Sequence, residues 1–350
     1  MRCPDLEDLP RPPAGATGWP WAERSPRLPS ALPGRAEWPR ISVVTPCLNR
    51  AGMVEETIRS VLLQDYPDLE YILIDGGSTD GTVDVVRRYE RWLTFWVSEP
   101  DQGQSDALNK GFGVATGEVL AYLNADDIYM PGALGTVGRA FADSGVSWHS
   151  GRGRLFGPGV GWGYTWPRKP FAERWQWLVR NCLVQPSTFW RREAAQRVGP
   201  FNLELAVSMD HEYWLRLLAS GYGLTWTNEV LSGFRVHPGS VTGRWGGAFA
   251  EEGKLLRRRY MAVLAAGDEH RVLGALAMHE ARKHRWRAWR RAWSGEHGAS
   301  LADLRHAARA APRILLSPKT WAVLALVVLC AAVLKPAKAL SAFLRPAQDR

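Results

Sequence analysis

Between residues 41 and 123, short apolar runs alternate with helix-length stretches, and this rhythm constrains the fold more than any other feature of the 350-residue chain. The runs are Ile41 to Thr45, Glu70 to Ile74, Thr94 to Ser98 and Glu118 to Leu123, and the helical stretches lie near Met53 to Gln64, Thr82 to Trp92 and Ser105 to Ala115. Parallel strands cannot be joined by a tight turn, so strands that alternate with helices predict an α/β domain. Its central sheet is expected to be mostly parallel, with helices on both faces. In such sheets ligands bind at the carboxyl ends of the strands, which directs attention to the loops that follow each apolar run.

The flanks read differently. Nine prolines fall within the first forty residues, so residues 1–40 are expected to be a disordered or loosely docked arm, with the catalytic body at 41–245. Residues 151–186 are rich in Gly, Trp and Arg and read as loops and short strands over one end of the sheet. Met209 to Ser220 reads as a helix, and Leu224 to Trp226 and Val230 to Val236 as short strands. A helical extension is expected over 246–312 and an apolar segment over 313–350.

Charge is concentrated in this tail. Residues 251–350 carry 19 Lys and Arg against 8 Asp and Glu, net +11, which leaves residues 1–250 at −2. Trp286, Trp289 and Trp293 recur at helical spacing among Arg285, Arg287, Arg290 and Arg291, a pattern that suits an anionic bilayer surface. The alternative is a surface helix that packs its Trp face on the catalytic domain. The uncharged run Trp321 to Leu334 is shorter than the ~20 residues of a spanning helix and reads as interfacial, with a span as the alternative. Four scattered cysteines without a C-x-x-C pair, and no visible signal peptide, lead us to expect a cytoplasmic body, which the basic tail would hold on the inner face of the plasma membrane. No motif for nucleic acid accompanies the basic tail.

The loop sequences carry the chemistry. In order they are I-S-V-V-T-P-C-L-N-R from Ile41, Y-I-L-I-D-G-G-S-T-D-G-T from Tyr71, S-E-P-D-Q-G-Q-S-D-A-L-N-K-G from Ser98 and L-N-A-D-D-I-Y-M-P from Leu123. This ordered set, over roughly residues 41–243, resembles glycosyltransferase family 2, inverting enzymes with a GT-A fold. The resemblance implies transfer of a sugar from a nucleotide diphosphate donor to an acceptor hydroxyl, assisted by Mg²⁺ or Mn²⁺. With the basic tail, it points to bacterial surface-polysaccharide or lipid-linked glycan assembly, with a glycan or lipid-linked acceptor. A nucleotidyltransferase, or a non-catalytic membrane-bound scaffold with the same fold, are the alternatives.

Carried onto this chain, the resemblance assigns Asp126 to the metal, with Asn124 replacing the first acid of the usual Asp-x-Asp. Asp127 follows as a supporting acid or a helix cap. Thr45, Pro46, Asn49 and Asp75 are expected at the nucleotide, with Asn124 and Lys110 on the donor side. Gly76 stands where many members have a second acid at the base, so the base does not carry over. Asp210 matches the general base that opens a helix in the family, with Glu212 as runner-up. His237 is matched to a loop that reaches the diphosphate or the metal, a structural histidine being the alternative.

Overall fold

The computed structural model describes residues 3–32, 37–157, 163, 165–167, 169–237, 239, 246–294 and 296–329. The chain divides into two compact units, Met1–Leu264 and a second that begins at Ala265.

The first unit opens with β1 (Ile41–Cys47), α1 (Val54–Leu62), β2 (Leu69–Asp75), α2 (Thr82–Arg87), β3 (Phe95–Ser98), α3 (Gln104–Val114) and β4 (Val119–Tyr122). Every residue of β1 and β2 is buried, as expected for parallel strands covered on both faces. The helix α1 forms because Val54, Ile58, Val61 and Leu62 fall on one side at helical spacing, and all four are fully buried against the sheet. Glu55 and Glu56 in its first turn complement the helix dipole. Cys47 pairs with Asp75, and Asp75 with Ser98, so β1, β2 and β3 end in line and present their loops along one edge.

The remaining strands are β5 (Ile128–Tyr129), β6 (Trp148–Phe156), β7 (Thr165–Trp166), β8 (Thr188–Arg191) and β9 (Leu224–Arg235). Between them come α4 (Ala133–Phe141), before β6, and α5 (Arg192–Val198) and α6 (Met209–Ala219), before β9. After β9 comes α7 (Gly246–Leu264). Among the described residues the sheet has the order β3-β2-β1-β4-β8-β6-β9-β5, with β7 on β6. Its β3-β2-β1-β4 half is parallel as expected, and the other half is mixed: β8 runs antiparallel to β4 and β6, while β6 and β9 are parallel.

Two expectations change, and a third is narrowed. The segment 151–186 is not merely a cover, because its start belongs to β6, a nine-residue strand inside the sheet. The two short strands expected around 224–236 are one twelve-residue strand, β9, whose pairing with β6 shifts register near Ser150 to Gly153. Of the two states expected for the proline-rich arm, its described residues adopt the docked one. Arg59 on α1 is fully buried and donates to the carbonyls of Pro20, Pro10 and Trp21 at 3.1, 2.9 and 3.1 Å, and the Trp19 indole donates to the Tyr129 carbonyl. A buried guanidinium needs acceptors, and the proline carbonyls, free of any helix or sheet, supply them.

The boundary expected at residue 245 also moves. The α7 helix belongs with the catalytic unit because Glu252 and Tyr260 bond to the loop before α6 and to Glu212 on it. The second unit holds α8 (Glu269–Trp293), α9 (His297–Ala310) and α10 (Pro318–Leu329). Ala281, Ala307, Ala311 and Ile314 form one small core, and Ala288, Leu304 and Val323 another, so residues 313–329 fold with this unit rather than apart from it. The stretch 330–350, which holds the rest of the expected apolar segment, lies outside the described residues.

Candidate active site

The loop after β4 brings Asp126 to the edge of the sheet. The His237 Nε2–H, from the segment after β9, donates to Asp126 Oδ2 at 3.0 Å, and Arg50 Nε lies 3.6 Å from the same oxygen. Arg235 fastens the loop from below: its side chain donates to the Asp126 carbonyl and to Glu56, and its amide donates to Asp127 Oδ1 at 2.8 Å. Asp127 is fully buried, and burial together with the neighbouring Asp126 charge pushes its carboxyl well above the usual range. The two acids therefore divide their work: Asp127 bolts the loop to β9, and Asp126 meets His237 and Arg50.

Asp126 and His237 are the residues here that could hold a divalent cation. Among the described residues no three ligating side chains converge, but Mg²⁺-type sites commonly use one or two protein groups plus phosphates and water. The 3.0 Å between Asp126 Oδ2 and His237 Nε2 matches the roughly 3 Å between adjacent ligands of an octahedral ion with bonds of about 2.1 Å. The Gly239 amide donates to His237 Nδ1 at 3.1 Å, which puts the ring proton on Nε2 in this arrangement. Service as a ligand requires that proton to move to Nδ1, so Asp126 is the stronger of the two candidates.

Asn124 is held by two glutamines. Its Oδ1 accepts from Gln104 Nε2 at 2.5 Å and its Nδ2 donates to Gln185 Oε1 at 3.3 Å, while Gln185 Nε2 donates to the Tyr122 carbonyl. An aspartate here would set a carboxylate oxygen against the Gln185 oxygen, so an amide suits these partners.

Asp210 opens α6. Asn181 Nδ2 donates to its Oδ2 at 3.0 Å and the His211 amide to its Oδ1 at 2.6 Å, yet burial prevails and lifts its carboxyl to about 6. Tyr213 and Trp214, one turn along, lock the helix into an aromatic cluster with Trp190 and Phe201. On the outer side Glu252 of α7 accepts from the amides of Ala206, Val207 and Ser208, fixing the approach to the helix. Glu212 is buried and engaged by Arg216 and Tyr260, which leaves it no free oxygen for a substrate. Burial, and after it the Asp210 and Asp127 charges, raise the Tyr122 phenol. The loop from Asn181 to Gln185 ties the halves together, reaching Asp210 at one end and Asn124 at the other.

At the other end of the edge the expected nucleotide residues are mostly occupied. Thr45 and Pro46 are buried within β1, and the Thr45 hydroxyl meets the Tyr71 phenol. Asn49 is exposed, in the left-handed region at φ 52°, and its Oδ1 accepts from the Thr79 amide. Asp75 is fully buried and braces its own loop. Lys110 pairs with Glu99 at 3.0 Å and with Asp106, which raise its ammonium and brace the loop after β3. The structure thus brings Asp126 and His237 together, holds Asn124 between Gln104 and Gln185, and leaves Lys110 in a separate ion-pair cluster. Arg50, Asn181, Gln104, Gln185 and Glu252 complete the site. Arg50, Gln104 and Gln185 lie inside recognisable motifs, whereas Asn181 and Glu252 have no local pattern that marks them.

The glycosyl transferase family 2 model matches residues 42–199. An uncharacterized glycosyltransferase of Mycobacterium tuberculosis is 31% identical over 183 residues, covering 51% of this chain and 68% of that protein. The chain belongs to glycosyltransferase family 2. Its structure is similar to Staphylococcus aureus TarS residues 1–349 in complex with UDP-GlcNAc, with a TM-score of 0.54 at 18% identity over 78% of this chain and 82% of that one. It is also similar to the mannosyltransferase PcManGT of Pyrobaculum calidifontis in complex with GDP-Man and Mn²⁺, with a TM-score of 0.50 at 21% identity over 92% and 87%. The fold of this family 2 member is GT-A. Asp210 and His237 lie beyond the matched residues, so their placement rests on the geometry above.

Proposed function

We propose that this glycosyltransferase is an inverting, divalent-metal-dependent enzyme that moves a sugar from a nucleoside diphosphate donor to an acceptor hydroxyl. The observation that carries the reading is Asp210. It is a carboxylate held by two hydrogen bonds, with burial placing its proton affinity near pH 6, the range a general base needs. In a single in-line displacement the acceptor oxygen bonds to the anomeric carbon as the bond from that carbon to the diphosphate oxygen breaks. The hydroxyl proton passes to Asp210, and the bonding electrons leave with the nucleoside diphosphate. Asp126, with His237 beside it, would hold the cation. When bound, that ion offsets the charge gathering on the leaving diphosphate.

The second unit supports a setting at the membrane. Trp286, Trp289 and Trp293 are 57%, 46% and 64% exposed on α8, with the Arg290 guanidinium 4.9 Å from the Trp286 ring centre, while Ala281, Ala288 and Ala292 are buried. Among the described residues no helix is long and apolar enough to cross a membrane. We read the helix as lying on an anionic inner leaflet, which suits a lipid-linked acceptor in bacterial surface-glycan assembly.

The test is a thermal-shift panel of nucleotide sugars with Mn²⁺, followed by transfer assays with the donor that binds. A donor at 100 times its dissociation constant adds about 2.7 kcal/mol of apparent stability. A chain indifferent to every donor, and to UDP and GDP, in the presence of Mn²⁺ would sink the reading.

A further inference from the structure

Asn181, which donates to Asp210, lies in a stretch without helix or strand, and such a stretch holds a side chain in place only when it is pinned on both sides. Downstream the pin is Gln185, whose Nε2 donates to the Tyr122 carbonyl at 2.8 Å. Upstream it is His211. Its Nε2 lies 2.7 Å from the Trp177 carbonyl oxygen, and since that oxygen can only accept, Nε2 carries the proton. Trp177 and Asn181, four residues apart on one strap, are thus caught by His211 and Asp210, which are neighbours at the start of α6.

The upstream end of the strap is firm. It begins in the short 3₁₀ turn Arg174–Leu178, where Arg174 donates to the Leu218 carbonyl near the far end of α6. The Trp177 side chain is buried and meets Trp148 and Phe171 at ring-centre distances of 5.8 and 6.0 Å. Two charges from α7 bear on the pair: Glu252 raises Asp210, and Arg257 lowers His211. On α6 itself, Glu212 and Arg216 are engaged with each other. Burial is the larger effect on the His211 ring and brings it to about 4, against the bond to Trp177. The ring is therefore neutral wherever Asp210 is ionised, and its hold on Trp177 does not change while Asp210 titrates.

We propose that His211 is a positioning residue for the general base: it fixes the Trp177 carbonyl and so keeps the Asn181 amide against Asp210. The inference rests on Asp210 as that base and gives His211 no contact with substrate and no proton to transfer. Without His211 the strap would keep its hold at Gln185, which also meets Asn124, while Asn181 would lose its upstream support. The loss falls on the chemical step and spares the donor side.

The experiment is a set of pH–rate profiles on the full chain, with titration of UDP and GDP in Mn²⁺ alongside. His211→Ala should move the acid limb of kcat to higher pH by about one unit, the scale of one hydrogen bond to a charged group, with nucleotide affinity retained. His211→Gln, whose side-chain amide can donate to the same carbonyl, should restore the wild-type limb. Because His211 acts through Asn181, combining His211→Ala with Asn181→Ala should move the limb no further than Asn181→Ala does. Imidazole nitrogen NMR of the wild type should show His211 as the neutral Nε2–H form across the whole profile, a readout independent of how the variants fold. An unmoved limb in His211→Ala, a Gln variant that behaves as Ala, shifts that add in the double variant, or a ring that titrates with the limb would each overturn the assignment. Asp210→Asn separates the two readings. If it keeps the acid limb, the general base is lost together with this inference; if it abolishes the limb while His211→Ala leaves it in place, only the role of His211 fails.

Discussion

Asn181 Nδ2 lies 3.0 Å from Asp210 Oδ2, a hydrogen bond between a loop with no regular structure and the first turn of α6. It favours the ionised carboxylate against the burial that lifts this group to about 6. Asp210 must be deprotonated to take a proton, so turnover should fall as pH drops through about 6. Asn181→Ala removes a donor to the charged form and should move this acid limb to higher pH, with activity recovering in alkali. Asp210→Asn should abolish the limb and lower kcat by about 10² to 10⁴ with donor affinity retained. A pH–rate profile of the three proteins checks both, and an unmoved limb in Asn181→Ala would count against Asp210 as the base.

Glu252 acts on the same carboxyl with the opposite sign. Its charge raises Asp210, and its oxygens accept from the amides of residues 206–208. Glu252→Gln keeps one acceptor and removes the charge, so the acid limb should shift to lower pH while the melting temperature falls by a few degrees. Opposite shifts in Glu252→Gln and Asn181→Ala are hard to produce by general loosening of α6.

Metal-dependent donor binding should depend on Asp126. Asp126→Ala is expected to abolish the Mn²⁺-dependent part of UDP or GDP affinity, and His237→Ala to weaken it less, because His237 must change tautomer to bind an ion. Titration of nucleotide with and without Mn²⁺ measures both, and full metal dependence in Asp126→Ala would remove this residue from the ion's shell.

Vesicle sedimentation tests the α8 face. The full chain should bind anionic vesicles and stay largely bound in high salt. Replacing Trp286, Trp289 and Trp293 with Ser should leave binding that salt releases, since each basic residue contributes only about 1 kcal/mol by electrostatics. A wild type that ignores anionic vesicles at low salt would argue for a different use of this face.

The half of the fold from β1 to β4 was legible because its strands and helices are each long enough to show a period, and the loops at their carboxyl ends carried the site motifs. The β6 strand was hidden by its composition. It reads Trp-His-Ser-Gly-Arg-Gly-Arg-Leu-Phe, which looks like a loop, but Leu231 and Val184 fill the space where Cβ atoms on Gly151 and Gly153 would stand, so the glycines are packing residues. Asp126 and Asp210 could be named from local motifs. That Asp75 and Asn124 already have partners could not, because Ser98, Gln104 and Gln185 reach them only once the sheet is assembled.

The arm held by Arg59 sets an order of events during synthesis. Trp19 finds its acceptor on Tyr129, 110 residues further along, and Pro10 meets Arg59, 49 residues further along. At about 5 to 20 residues per second the tryptophan emerges from the ribosome several seconds before the carbonyl it needs. During that interval the prolines keep the segment from building a helix or strand of its own that would later have to be undone. The arm can thus be secured only after α1 and β5, which carry its partners, have been made.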